Sequence, residues 1–143
     1  MENIQLWTDG SAEPNPGLGG FGIIIIHNDE EYEFSGGELH TTNNRMELSA
    51  VIIGLSYLKK PSNVTVYSDS EYVVNPYIKN WISKWRKQGF KNRKNSDLWE
   101  LLEYEVNRHC VEFKHVPAHK GIKYNERADV LATQGAKKLK KML

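Results

Sequence analysis

Apolar residues recur along this chain with two different periods, and the switches between them divide it into strands and helices. Ile4 to Thr8, then Phe21 to His27 with the run Ile23-Ile24-Ile25-Ile26, then Glu31 to Leu39 carry strand signals. Between the first two, Asn15-Pro16-Gly17-Leu18-Gly19-Gly20 reads as a turn. From Asn43 to Lys60 the spacing changes: Leu48, Val51, Ile52, Leu55 and Leu58 share one helical face, and Pro61 ends the helix. Val64 to Ser68 is a fourth strand, and Tyr72 to Lys91 reads as one or two helices interrupted near Asn75-Pro76. Asp97 to Arg108 forms another helix with Leu98, Leu101, Leu102 and Val106 inward. Val111 to Val116 is a fifth strand, and Asn125 to Leu143 a last helix ending in Lys137-Lys138-Leu139-Lys140-Lys141, where cations suit a helix C-terminus.

The order βββαβααβα makes the first three strands a meander and joins the last two through helices as parallel neighbours. The expected class is α/β: a five-stranded mixed sheet flanked by helices, in a single domain spanning 1–143. A chain of 143 residues buries roughly 68–70% of its unfolded surface, enough for a core without staples. The lone Cys110 forms no internal disulfide and opens the alternation Val111, Phe113, His115, so packing is its expected role. Met1-Glu2-Asn3 is not a basic leader, and no apolar run approaches the ~18 residues of a membrane span. A cytoplasmic monomer without membrane attachment is expected.

Against this frame four carboxylates stand out: Asp9, Glu47, Asp69 and Asp129 each fall where a strand ends or a helix begins. Each has a plain structural reading. Asp9-Gly10 fits a turn, Glu47 a capping box begun by Asn44, Asp69 an N-cap, and Asp129 a first-turn acid favoured by the helix dipole. Jointly they converge on one edge of a sheet, where open α/β sheets bind ligands. An all-oxygen cluster without a Cys/His pattern suits Mg2+ or Mn2+, and so phosphoryl transfer.

Net charge of +1 excludes little, but its distribution is uneven. Between Lys79 and Lys94 lie seven of the 19 basic residues (Lys79, Lys84, Arg86, Lys87, Lys91, Arg93, Lys94) and no acidic one, with Trp81, Trp85 and Phe90 interleaved. Cations that neutralise phosphates beside rings that stack on bases or sugars describe a nucleic-acid groove. The alternative is a solvated helix anchored by Trp81 and Trp85 at i and i+4.

Five segments carry a resemblance across essentially the whole chain: Trp7-Thr8-Asp9-Gly10-Ser11; Asn15-Pro16-Gly17 with Gly19-Gly20; Thr41-Thr42-Asn43-Asn44-Arg45-Met46-Glu47-Leu48; Tyr67-Ser68-Asp69-Ser70; and Val116-Pro117-Ala118-His119 followed by Asn125-Glu126-Arg127-Ala128-Asp129. Together they resemble ribonuclease H of the bacterial type 1 kind, and the segment with Trp81 and Trp85 is similar to that family's basic protrusion. The resemblance implies the ribonuclease H-like fold and endonucleolytic cleavage of the RNA strand of RNA/DNA hybrids, leaving 3′-hydroxyl and 5′-phosphate ends. It implies two Mg2+ ions per site, with Mn2+ as a substitute, held by Asp9, Glu47, Asp69 and Asp129. His119 would move protons or help product leave. Asn15, Asn43, Asn44 and Glu71 would face the RNA strand, and His40, Thr42, Tyr72, Trp81, Trp85 and Asn95 the DNA strand, with Thr42 and Asn95 on one phosphate. Lys84, Arg86, Lys87 and Lys91 would form the basic protrusion.

Three positions depart from the family pattern. Glu71 stands where many relatives carry Gln or another neutral residue, His40 where several supply an Arg to the phosphate pocket, and Ala118 where Gly is usual before the loop histidine. Two rivals share parts of the pattern. A silent hybrid-binding module would need the basic groove but not all four acids, and a resolvase or transposase domain would lack the Thr-Thr-Asn-Asn-Arg-Met-Glu run and the protrusion.

Overall fold

The computed structural model describes residues 1–143. Its strands are β1 (Asn3–Ala12), β2 (Gly17–His27), β3 (Glu30–Thr41), β4 (Asn63–Ser68) and β5 (Cys110–His115). Its helices are α1 (Asn43–Ser56), α2 (Glu71–Ile78), α3 (Ile82–Lys87), α4 (Ser96–Asn107) and α5 (Lys123–Lys141). The strands form one sheet in the order β3-β2-β1-β4-β5, antiparallel through the β1–β2–β3 meander and parallel from β1 to β4 to β5.

The isoleucine run on β2 shows how the sheet separates two cores. Successive side chains on a strand point to opposite faces. Ile23 and Ile25 therefore join Leu6, Val66, Leu48, Val51, Leu55, Trp99 and Leu102 beneath α1 and α4, while Ile24 joins Trp7, Val116 and Ala128 beneath α5. A continuous apolar run is what a strand covered on both faces requires.

Several local expectations are corrected. The glycine-rich stretch from Gly17 to Gly20 is the start of β2 rather than a turn, because Gly19 pairs with Ala12 and Gly20 with Ser11. The first helix stops at Ser56, four residues before Lys60, with the Tyr57 amide bonded back to Ile53 and Gly54. Its N-cap is Thr42, whose hydroxyl accepts from the Arg45 amide, so Asn44 lies inside the helix and begins no capping box with Glu47. Ser70, not Asp69, caps α2 by accepting from the Val73 amide. That helix runs through Pro76. Proline removes one intrahelical bond, yet the Lys79 amide closes the next turn on the Asn75 carbonyl at 2.8 Å. The interruption falls instead between α2 and α3, where Asn80 is left-handed at φ 58°. On α4 the inward set includes Trp99, Leu102 and Glu103, while Leu101 is 52% exposed. Cys110 is exposed rather than packed, because the open edge strand β5 turns it to solvent.

Candidate metal centre and nucleic-acid interface

Three strands and two helices bring the acidic residues together, and glycines set how closely the elements approach. A β-carbon on Gly10 would lie 2.4 Å from the Met46 carbonyl carbon and 2.6 Å from the Glu47 amide nitrogen. Only glycine allows α1 to begin so near β1, which carries Glu47 to Asp9. Gly22 does the same for α5: its β-carbon would meet the Ala128 carbonyl oxygen at 2.2 Å. Asp9 pairs with Gly22 in the sheet, so Asp129, next to Ala128, arrives beside Asp9. Asp69 leaves the carboxyl end of β4.

Carboxylate oxygens of Asp9, Glu47 and Asp69 all lie within 4.8 Å of one another. Asp129 adjoins Asp9 and acts on it through charge and hydrogen bonding. None of the six ion pairs in the protein involves any of the four. Burial, followed by the charges of Asp69 and Asp129, pushes Asp9 up to about 8. Burial, then the Asp9 and Asp69 charges, holds Glu47 well above the usual carboxylate range. Asp69 is raised mainly by burial, with relief from the Asn125 amide and from His119 and His115. Glu47 is 9% exposed and its Oε1 is buried without a partner. Clustered, buried, unneutralised oxygen donors fit a hard divalent cation, which supplies the missing positive charge.

His119 sits in the loop between β5 and α5 in a left-handed conformation, φ 55°. Gly121, also left-handed at φ 76°, donates its amide to Glu126 Oε1 at 3.0 Å, tying this loop to the first turn of α5. His115, at the end of β5, was not a sequence candidate. Its Nε2 lies 3.2 Å from the Asp69 carbonyl oxygen, which can only accept. Its place in an alternating strand gave no sign of this contact.

A second site adjoins the acids. Asn15, Thr42, Asn43, Asn44, Lys94 and Asn95, with Pro16, line a mainly polar pocket of about 290 Å3. Asn43 Oδ1 accepts from the Ala12 amide at 2.7 Å, and Asn15 Oδ1 accepts from the Asn43 amide at 3.1 Å. Both asparagines thus spend their oxygens on the fold and keep their NH2 groups as donors. On the other wall, Arg45 donates to Asp97 through both terminal nitrogens and to Asn95 Oδ1, while Asn95 Nδ2 and Trp99 Nε1 both donate to the Tyr72 hydroxyl. Lys94 is the cation of this pocket. It was legible only as one of seven basic residues, because the turn that joins it to Thr42 is tertiary. His40 is exposed on β3 and is not part of the lining.

Beyond Asn95 the basic segment packs through Ile82, Trp85 and Phe90, with Trp85 edge-on to Trp99 at 5.3 Å. Trp81 is 45% exposed. Lys84, Lys87 and Lys91 face solvent, and Arg93 lies 3.7 Å over the Trp85 ring. Glu71, the first residue of α2, is exposed two positions from Asp69.

A mixed sheet with clustered acids at one edge and a basic aromatic segment beside it is the framework of a metal-dependent nuclease. A sequence model of the RNase H family matches residues 1–137. The chain is 45% identical over 143 residues to a ribonuclease H of Acetivibrio thermocellus, covering 96% of this chain and 97% of the relative. It is 45% identical over 139 residues to a ribonuclease HI of Pseudomonas syringae pv. tomato, covering 94% and 92%. Among solved structures, LC9-RNase H1, described as a type 1 RNase H with the type 2 active-site motif, superposes with a TM-score of 0.85 at 27% identity over 95% of this chain and 72% of that one. LC11-RNase H1 in complex with an RNA/DNA hybrid gives 0.72 at 27% identity over 95% and 98%. This chain belongs to the ribonuclease H family, a family of divalent-metal-dependent nucleases. No helix is long and apolar enough to cross a membrane.

Proposed function

We propose that this protein hydrolyses internal bonds in the RNA strand of RNA/DNA hybrids, leaving 3′-hydroxyl and 5′-phosphate ends, with two Mg2+ ions, or Mn2+, held by Asp9, Glu47, Asp69 and Asp129. The observation that carries this reading is the cluster of Asp9, Glu47 and Asp69 carboxylates, none of which is in an ion pair, together with a pocket at the start of α1 lined by Asn15, Thr42, Asn43, Asn44, Lys94 and Asn95. When bound, such cations activate water and stabilise charge on the leaving oxygen.

The chain's own residues do the rest. Gly10 and Gly22 hold the acids close, and Asn125 and His115 fix Asp69 from either side. His119, on a loop tied down by Glu126, exchanges protons with the reacting groups, a task for which an imidazole has both a donor and an acceptor nitrogen. The free NH2 groups of Asn15 and Asn43, with Asn44, meet acceptors in the minor groove, where only RNA offers 2′-hydroxyls. Thr42, Lys94 and Asn95 take one DNA phosphate, and the DNA strand continues along Tyr72, Trp81 and Trp85 towards Lys84, Lys87 and Lys91.

The test is a labelled RNA/DNA hybrid compared with matched double-stranded RNA and double-stranded DNA, with and without Mg2+. Cleavage confined to the RNA strand of the hybrid and dependent on the metal is expected. Equal cleavage of all three duplexes, or of none, would overturn the assignment.

A further inference from the structure

One buried charge in the protein has no part in the chemistry described above. Glu103, on α4, is only 5% exposed. It accepts from Arg86 Nε at 2.6 Å, from Arg86 Nη2 at 3.3 Å and from the Tyr77 hydroxyl at 3.0 Å. These three residues come from three helices: Tyr77 from α2, Arg86 from α3 and Glu103 from α4. Burying a carboxylate is costly, and a well-packed apolar group in its place is often equally stable or more so. What an ion pair with two directed hydrogen bonds adds is registry, since apolar packing alone is non-directional.

The helix so fixed is the basic one. α3 has six residues, lacks a side-chain N-cap bond, and is separated from the left-handed Asn80 only by its N-cap residue Trp81. Its other anchors, Ile82 and Trp85, together with Phe90 just beyond it, are apolar and resist sliding or rotation weakly. Arg86, its side chain still 50% exposed, is tied to Glu103, which sets the direction of Lys84 and Lys87 around the helix axis, because successive residues turn by a fixed angle. Of the cations in this helix, Arg86 acts on the fold and the two lysines remain free for phosphate.

We propose that Glu103 is a positioning residue for nucleic-acid binding: through Arg86 it fixes the rotation of α3 and so aims Lys84 and Lys87 at the DNA strand. The inference rests on the proposed role of α3 in hybrid binding, and a separate variant tests that role.

The experiment uses the full chain and four variants: E103L, R86M/E103L, E103Q and K84A/K87A. Thermal midpoint, kcat, KM for a hybrid and the salt dependence of hybrid binding are measured for each. E103L should lower the thermal midpoint and raise KM several-fold with kcat unchanged. Replacing both partners should recover the midpoint only in part, because the guanidinium is no longer left unpaired but the Tyr77 hydroxyl still lacks its acceptor. KM should nevertheless stay raised, and the log-log salt slope should flatten by more than the ~0.9 that one lost phosphate contact gives. Recovery of midpoint and KM together, or a slope change no greater than ~0.9, would overturn the inference. Should the double variant fail to fold, E103Q decides, since it keeps an acceptor for Arg86. KM must then rise less in E103Q than in E103L, and equal KM in both and in the wild type sinks the proposal. Wild-type KM and slope in K84A/K87A would instead remove the hybrid-binding role of α3 itself.

Discussion

Gly10 and Glu47 meet backbone to backbone, with space for no side chain between them: a β-carbon on residue 10 would come within 2.6 Å of the Glu47 amide nitrogen. The atoms in the way belong to the main chain of α1 and cannot swing aside. Gly10→Ala should therefore push the start of α1 off β1. The expected cost is about 1–3 kcal/mol of stability, in the range for overpacking. Activity should fall further than stability, by about 100-fold in kcat, because a shift of about 1 Å in a reacting group has that effect. Denaturant unfolding and hybrid cleavage on the same preparation check both; unchanged kcat would mean that α1 can yield without moving Glu47.

Asp9→Asn should abolish Mg2+-dependent cleavage while leaving the fold intact, and in chelator it should be more stable than the wild type. Asp9 is pushed up to about 8 against an ordinary value of 3.8, mainly by burial. A group whose folded pKa is raised contributes its stability below the unfolded value and loses it as pH rises through the folded one. The metal-free wild type should thus weaken between about pH 4 and pH 8. The amide does not titrate, so Asp9→Asn should lack that component and gain roughly 2–4 kcal/mol over the wild type near pH 8, within the several kcal/mol that an uncompensated buried charge costs. Urea unfolding in EDTA across this range is the measurement, and parallel curves for the two proteins would refute it.

Lys94→Ala should weaken hybrid binding and flatten its log-log salt slope by roughly 0.9, the value for one phosphate contact. With saturating substrate, kcat should stay near the wild-type level, since Lys94 lines the polar pocket and not the acidic cluster. His40→Ala should leave the slope unchanged, because that side chain does not line the pocket. The opposite pattern in fluorescence titrations at several salt concentrations would place the phosphate nearer β3.

The difference between Lys94 and the acids shows where sequence reasoning succeeds. Asp9, Glu47, Asp69 and Asp129 were legible as a set, yet two of their local readings fail: β1 continues through Asp9-Gly10 to Ala12 instead of turning there, and Asp129 is the seventh residue of α5, beyond the first turn that holds Glu126. Lys94 and His115 were not legible: Lys94 lies outside any periodic segment, and the alternation that holds His115 in β5 says nothing of its contact with the Asp69 carbonyl. Lys94 acquires its role only when the segment before α4 folds against Thr42, some fifty residues earlier, held by Arg45, Asp97 and Asn95. The helix breaks failed for a similar reason: Pro76 is a strong local signal, yet one missing bond is offset by the turn that Lys79 closes, and the break moves to Asn80. Cys110 and Leu101 were assigned inward by alternation and helical spacing, but nothing covers the edge strand or the outer side of α4 where they lie.

Glu71 adds a negative charge two residues after Asp69, on the first turn of α2. There it gains from the helix dipole, so Glu71→Gln should lower stability slightly, by about 0.3–1 kcal/mol. Near the acids its field has two opposite effects, attracting cations and repelling the RNA backbone. The side chain is exposed and outside the cluster whose oxygens lie within 4.8 Å of one another, so it is poorly placed to share a cation with them. Repulsion of RNA should therefore dominate, and Glu71→Gln should reach half-maximal activity at a lower Mg2+ concentration and bind the hybrid more tightly at low salt. Screening with monovalent salt should erase the difference in affinity, because exposed charges are damped beyond a Debye length of about 8 Å at physiological ionic strength. A higher Mg2+ requirement in the variant would show that Glu71 gathers cations for the site instead.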